Sequence, residues 1–177
     1  MKRVLLPALV AGLATLTATA YASDGTINFT GSVIGTTCSI SVNGTAAPAP
    51  ATVTLQPARD SDLNAAGKTA MPTPFDIMLT SCTDTGKVSA FFEAGPGVNP
   101  GSGLLRNTGT ATNVELMLYD AAAGAQIAAG DASQKFTTRV QISGGQATLK
   151  YGVQYFATGV ATVGSVAGTV TYHIVYE

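Results

Sequence analysis

The chain ends in GTVTYHIVYE, residues 168–177. Val170, Tyr172, Ile174 and Tyr176 alternate with Thr169, Thr171, His173 and Val175. That period belongs to a strand with one face on a core. No hairpin follows it in the sequence, so the neighbour of its second edge has to come from elsewhere. A matching oddity stands before the first cysteine. In TINFTGSV, residues 26–33, Ile27, Phe29, Gly31 and Val33 share one face, and Thr26, Asn28, Thr30 and Ser32 the other. Free termini fray unless they are paired, and bare apolar edges are hazards that secreted proteins cover. Either the two end strands pair within one molecule, or each pairs with another molecule.

The first 22 residues are set aside as a secretory signal. Lys2 and Arg3 precede an apolar run, and Ala20-Tyr21-Ala22 supplies a small-x-small site with cleavage expected after Ala22. Taking Lys2 and Arg3 from nine basic residues leaves seven against ten acidic ones, a net charge of −3 for Ser23–Glu177. No basic patch suited to nucleic acid is present. Cys38 and Cys82 are the two cysteines, and in an oxidising compartment they read as one disulfide. Two thiols and one histidine do not complete a zinc site.

Short β-like runs separated by Gly, Pro, Asn and Asp fill the rest. TCSISV leads to a turn at Asn43-Gly44. The Pro-broken stretch APAPATVTLQP holds a short strand at Val53–Leu55. Residues 58–72 read as a loop with one helical turn. PFDIMLTSC, KVSAFFEA and NVELMLYD are strands, with Phe75, Ile77 and Leu79 in phase in the first and Val114, Leu116 and Leu118 in the last. GPGVNPGSG, residues 95–103, is an irregular loop. AAAGAQIAAGD is a turn and a short strand, FTTRVQIS and ATLKYGVQYFA are two more strands, and the terminal strand closes the set. Eight or nine strands with local turns predict an all-β antiparallel sandwich. An immunoglobulin-type arrangement is favoured over a closed barrel, a choice that periodicity alone does not make.

The residues resemble the major-subunit pilins of chaperone–usher (type 1-like) fimbriae. GTINFTGSVIGTTCSI resembles the N-terminal extension of that family running into its first cysteine strand. TNVELMLYD and YFATG (155–159) resemble internal family segments, and the Cys38–Cys82 spacing fits the family disulfide. The family places a glycine fourteenth and a tyrosine second from its C-terminus, where this chain has Gly164 and Tyr176. The Ala-Pro run at 46–51 and the loop at 95–103 depart from it as variable surface elements.

The resemblance implies an incomplete immunoglobulin-like sandwich lacking its final strand and completed by a donor strand. Residues 1–22 are then the signal peptide, 23–33 the donor extension and 34–177 the pilin domain. Ile27, Phe29, Gly31 and Val33 become the donor residues, Gly31 entering where the groove is shallow. Gly164, Val170, Tyr172, Ile174 and Tyr176 mark the acceptor groove and the chaperone-binding strand. The implied partners are neighbouring pilin subunits, a periplasmic chaperone, an outer-membrane usher and, through a tip adhesin, a host receptor. The implied route is export through the periplasm to a cell-surface fimbrium, with no cofactor and no enzymatic activity.

Other chemistry finds little support. No GxSxG, HExxH or phosphate-cradling loop occurs. His173 falls out of phase with the apolar face. Asp60, Asp62, Asp76 and Asp84 read as solvated or turn carboxylates rather than as an acid–base pair. The sequons at Asn28 and Asn43 read as chance matches in a bacterial product. Two other functions remain open: a minor subunit or adhesin that binds a receptor directly, and a monomeric secreted module whose end strands pair with each other.

Overall fold

The computed structural model describes Thr30 and residues 38–177. The signal peptide and the strand expected at 26–33 fall outside the described residues, except for exposed Thr30. Nine strands are assigned among those residues: β1 (Ser39–Val42), β2 (Thr45–Ala46), β3 (Thr69–Thr80), β4 (Lys87–Phe92), β5 (Val114–Asp120), β6 (Ala125–Ile127), β7 (Val140–Gln141), β8 (Ala147–Ala157) and β9 (Tyr172–Tyr176). All named pairs are antiparallel. They form a six-stranded sheet, β2-β1-β3-β8-β5-β6, and a three-stranded sheet, β7-β4-β9.

Local sequence accounts for most of these strands. Asn43 and Gly44 both take left-handed backbone, φ 45° and 85°, which a two-residue hairpin turn demands. The alternation in β3 and β5 buries Phe75, Ile77 and Leu79 and Val114, Leu116 and Leu118. In β4, Val88, Ser89 and Ala90 are buried in succession, as expected of a strand covered on both faces. The sheets meet around Ile77, Leu79, Val88, Phe92, Leu149 and Tyr151. The Phe92 and Tyr151 rings meet edge to face with centroids 5.1 Å apart, a favoured aromatic geometry. The Tyr151 hydroxyl accepts the Ala90 N–H at 2.9 Å and so bridges the sheets. Cys38 and Cys82 are disulfide-bonded, tying the start of β1 to the end of β3.

Three expectations are corrected. Val53–Leu55 is not a strand: residues 47–59 form no assigned element, and Pro48, Pro50 and Pro57 remove ladder donors there. The strand expected at 74–82 begins at Thr69, with Met71 at φ 52° in a bulge between Ala70 and Thr73; the helical turn is present just upstream, as a 3-10 turn at Asp60–Leu63. FTTRVQIS keeps only two strand residues. Its first residue, Phe136, ends a 3-10 turn at Ala132–Phe136 and is 79% exposed.

That turn exists to place Gln134. Its Oε1 accepts the Phe92 N–H at 2.8 Å, and its Nε2 donates to the Phe92 carbonyl at 2.9 Å. The buried amide takes over along β4 where β7 stops. Replacing Gln134 with leucine leaves the Phe92 N–H without this acceptor, a cost of about 1–3 kcal/mol. Urea unfolding should show a lower midpoint with an unchanged slope.

Asp120, 1% exposed, plays a comparable part at the other edge. Its Oδ1 accepts from Ala122 and Ala123 and its Oδ2 from Thr138. Burial pushes the carboxyl up, but the donors at Thr138, Ala123 and Ala122 outweigh it and hold the pKa below the ordinary aspartate value. A depressed carboxyl stabilises the fold above its unfolded pKa, about 3.9, and this stabilisation is lost as pH falls through the lower folded value. The melting temperature should therefore fall with acidification below about pH 4. Asp120→Asn should flatten that slope and cost about 1.5–3 kcal/mol at neutral pH.

Candidate functional site

β9 is the unfinished part of the fold. One edge pairs with β4, from Phe92↔Tyr172 to Val88↔Tyr176. Its other edge has no strand partner among the described residues. Beside that edge lies a groove of about 600 Å³. One wall is 168–174, with Val170, Tyr172 and Ile174. The other is the strandless run 47–55, with Ala51, Val53 and Leu55. Phe75, Ile77, Phe92, Leu116, Leu118 and Val153 are among the residues at its base. No Lys, Arg, Asp or Glu lines it among the described residues. Burial lifts the Tyr172 phenol above its ordinary pKa.

Leu55 also borders a neighbouring cavity. A second cavity of about 290 Å³ is lined by Leu55 and by Val163–Val166, including Gly164. Here the chain crosses from β8 to β9 against residues 108–113. Thr108 N–H donates to Ala167 O at 2.8 Å, Ala111 N–H to Ser165 O at 3.0 Å, and Thr162 N–H to Thr112 O at 3.2 Å. The Thr110–Ser165 and Thr112–Thr162 hydroxyl pairs reinforce the crossing at 3.2 and 3.0 Å. A Cβ on Gly164 would collide with the Ala111 backbone nitrogen, so this close approach requires glycine.

Of the residues singled out from sequence, Val170, Tyr172, His173 and Ile174 line the first cavity and Gly164 the second. Tyr176 packs on the core, as Val170, Tyr172 and Ile174 do, but lines neither cavity. His173 is exposed on β9; its Nδ1 lies 3.0 Å from Glu93 Oε1, and its ring stacks on Phe91. Hydrogen bonds from His173 and then Thr171 hold the Glu93 carboxyl below its ordinary pKa. The carboxylates are local fixtures: Asp60 accepts from Ser61, Asp84 from Thr85 and Gly86, and Asp76 pairs with Lys150. Sequence reasoning missed the 47–55 wall, whose alternating Val53 and Leu55 were the available signal. Ile27, Phe29, Gly31 and Val33 lie outside the described residues.

The model of the fimbrial protein family matches residues 27–177. The chain belongs to the fimbrial protein family. This subunit is 39% identical to the major fimbrial subunit SMF-1 of Stenotrophomonas maltophilia over 169 residues, covering 89% of this chain and 95% of the relative. It is 36% identical to the F17 fimbrial protein of Escherichia coli over 164 residues, covering 88% and 89%. A subunit of a chaperone–usher pilus, solved to explain how its rod uncoils, shares the fold with a TM-score of 0.62 at 23% identity, over 91% of this chain and all of that one. The protein is thus a fimbrial pilin with an all-β, two-sheet fold. It is a structural component of a surface fimbrium that assembles with other pilins, not an enzyme.

Proposed function

We propose that this pilin polymerises head to tail, each copy laying residues 23–33 along the groove of its neighbour. The open edge of β9 above an uncharged apolar groove carries this reading. An added strand would complete the ladder and cover the exposed core, a recognised mode of strand addition. At 3.3 Å per residue, residues 23–33 laid out as a strand would span about 36 Å. Ile27, Phe29 and Val33 would enter the groove, each contributing about 1.5–3 kcal/mol on burial, while Gly31 passes a shallow point. A donor on one copy and a different site on the next make a heterologous contact, which propagates into a filament.

The same open groove needs cover before assembly. A periplasmic chaperone is the proposed first occupant and an outer-membrane usher the site of exchange, with transit through the periplasm after signal cleavage. The full-length likeness to a subunit named as major supports a major role.

Surface material sheared from producing cells tests the polymer. Unheated in SDS, it should run as a ladder of subunit multiples; boiled, it should collapse to one band. A single monomer band in both lanes, with the protein confirmed outside the cell, would favour a self-paired module.

A further inference from the structure

Beside the upper mouth of the groove, Val160 and Val163 are 66% and 86% exposed. Their loop is held firmly. Ala161 between them is buried, with its N–H donated to Leu63 O at 3.0 Å. Asn113 Nδ2 donates to Val160 O at 2.8 Å, and Thr158 N–H to Asn113 O at 2.9 Å. The valines are therefore displayed on a pre-ordered surface, where docking costs little further entropy. Val160 lines neither cavity, so a strand lying in the groove would leave it uncovered.

We infer that the Val160–Val163 loop is the seat for the body of the next copy of this chain, a contact additional to the inserted strand. The inference rests on the head-to-tail reading. From Gly164 at the mouth the chain descends through β9 to Glu177, whose carbonyl accepts the Lys87 N–H. Cys82 and Gly145 meet at that same lower end, where Cys82 N–H donates to Gly145 O at 3.0 Å and Ile142 N–H to Gly86 O at 3.0 Å. A donor antiparallel to β9, the more stable pairing and the one used throughout this fold, ascends and leaves with Val33 at the mouth. Cys38 of the donating copy is five residues further on, within about 17–18 Å at full extension. Its lower end, with exposed Ser81, Thr83, Thr85 and Gly144, is thereby tethered over the valines. These small uncharged residues suit an apolar contact, with the charged Lys87 and Glu177 beside them.

A photo-crosslinking benzoylphenylalanine in place of Val160, in the full chain assembled into fibres, tests this. The expected result is a normal SDS ladder with crosslinks mapped by mass spectrometry to residues 81–86 or 143–146 of a neighbouring copy. A normal ladder with no crosslink, or with crosslinks only to residues 23–37, overturns the contact and leaves strand exchange standing. If the wild-type chain itself forms no ladder, the head-to-tail reading falls and this contact with it. If only the probe-bearing chain fails, Val160→Ala with Val163→Ala decides. More flexible fibres by electron microscopy support the contact, and fibres as straight as wild type overturn it.

Discussion

A chain carrying Ile27→Asp and Phe29→Asp is expected to be exported and oxidised normally yet to give no SDS-resistant ladder. The groove of the acceptor is uncharged and floored by buried Ile77, Phe92 and Leu118. Removing the Ile and Phe forfeits about 3–6 kcal/mol of apolar burial, which alone is a factor of about 10²–10⁴ in affinity. Two carboxylates entering such a groove must also be stripped of water without a partner, which raises the cost further. Since interface quality acts mainly on the off-rate, polymers that do form should dissociate without heating. The matching change on the acceptor side is Ile174→Asp, which should give the same phenotype with an intact donor. Mixing the two variants distinguishes them: the intact donor of the groove variant can still fill the intact groove of the donor variant, giving a dimer that cannot be extended. A full ladder from the Ile27, Phe29 variant would remove these residues from assembly.

The second large effect concerns the disulfide. Replacing Cys38 and Cys82 together with alanine should lower stability by about 4 kcal/mol, the chain-entropy value for a loop of this length; the two cysteines are 44 residues apart. The loop they close contains the β1–β2 hairpin, the 47–55 wall and all of β3. The wall has no ladder of its own, so loosening the loop should disturb the groove before the six-stranded sheet. The expected signature is a lowered denaturant midpoint together with a deficit in ladder formation at temperatures where the monomer is still folded. Unchanged assembly in a strongly destabilised variant would show that the wall is held by packing alone.

The strands were legible wherever alternation was strong. Phe75, Ile77 and Leu79, Val114, Leu116 and Leu118, and Leu149, Tyr151 and Val153 all point inward as their spacing says. The cysteine pair was legible from number and compartment. Three features were not legible. Val53 and Leu55 alternate like a strand but have no partner, because pairing is decided by what lies alongside and not by the residues themselves. Phe136 looked like the start of a strand; in the structure Gln134 claims that stretch by bonding to Phe92, 42 residues away in sequence. Tyr176 packs on the core in phase with Tyr172 and Ile174, yet it lines neither cavity, a matter of where the facing wall ends.

By itself the sequence determined the class of the fold, the bonded cysteines and the alternation of the terminal strand, since these follow from local period and residue chemistry. Only the tertiary structure decided that the last strand has one edge without a strand partner among the described residues, that 47–55 stands opposite it as a second wall, and that Val160 and Val163 flank the mouth. Those are matters of which distant segments meet, and the apolar burial that drives such meetings is non-directional; the assembled set of neighbours determines which edge is left unpaired.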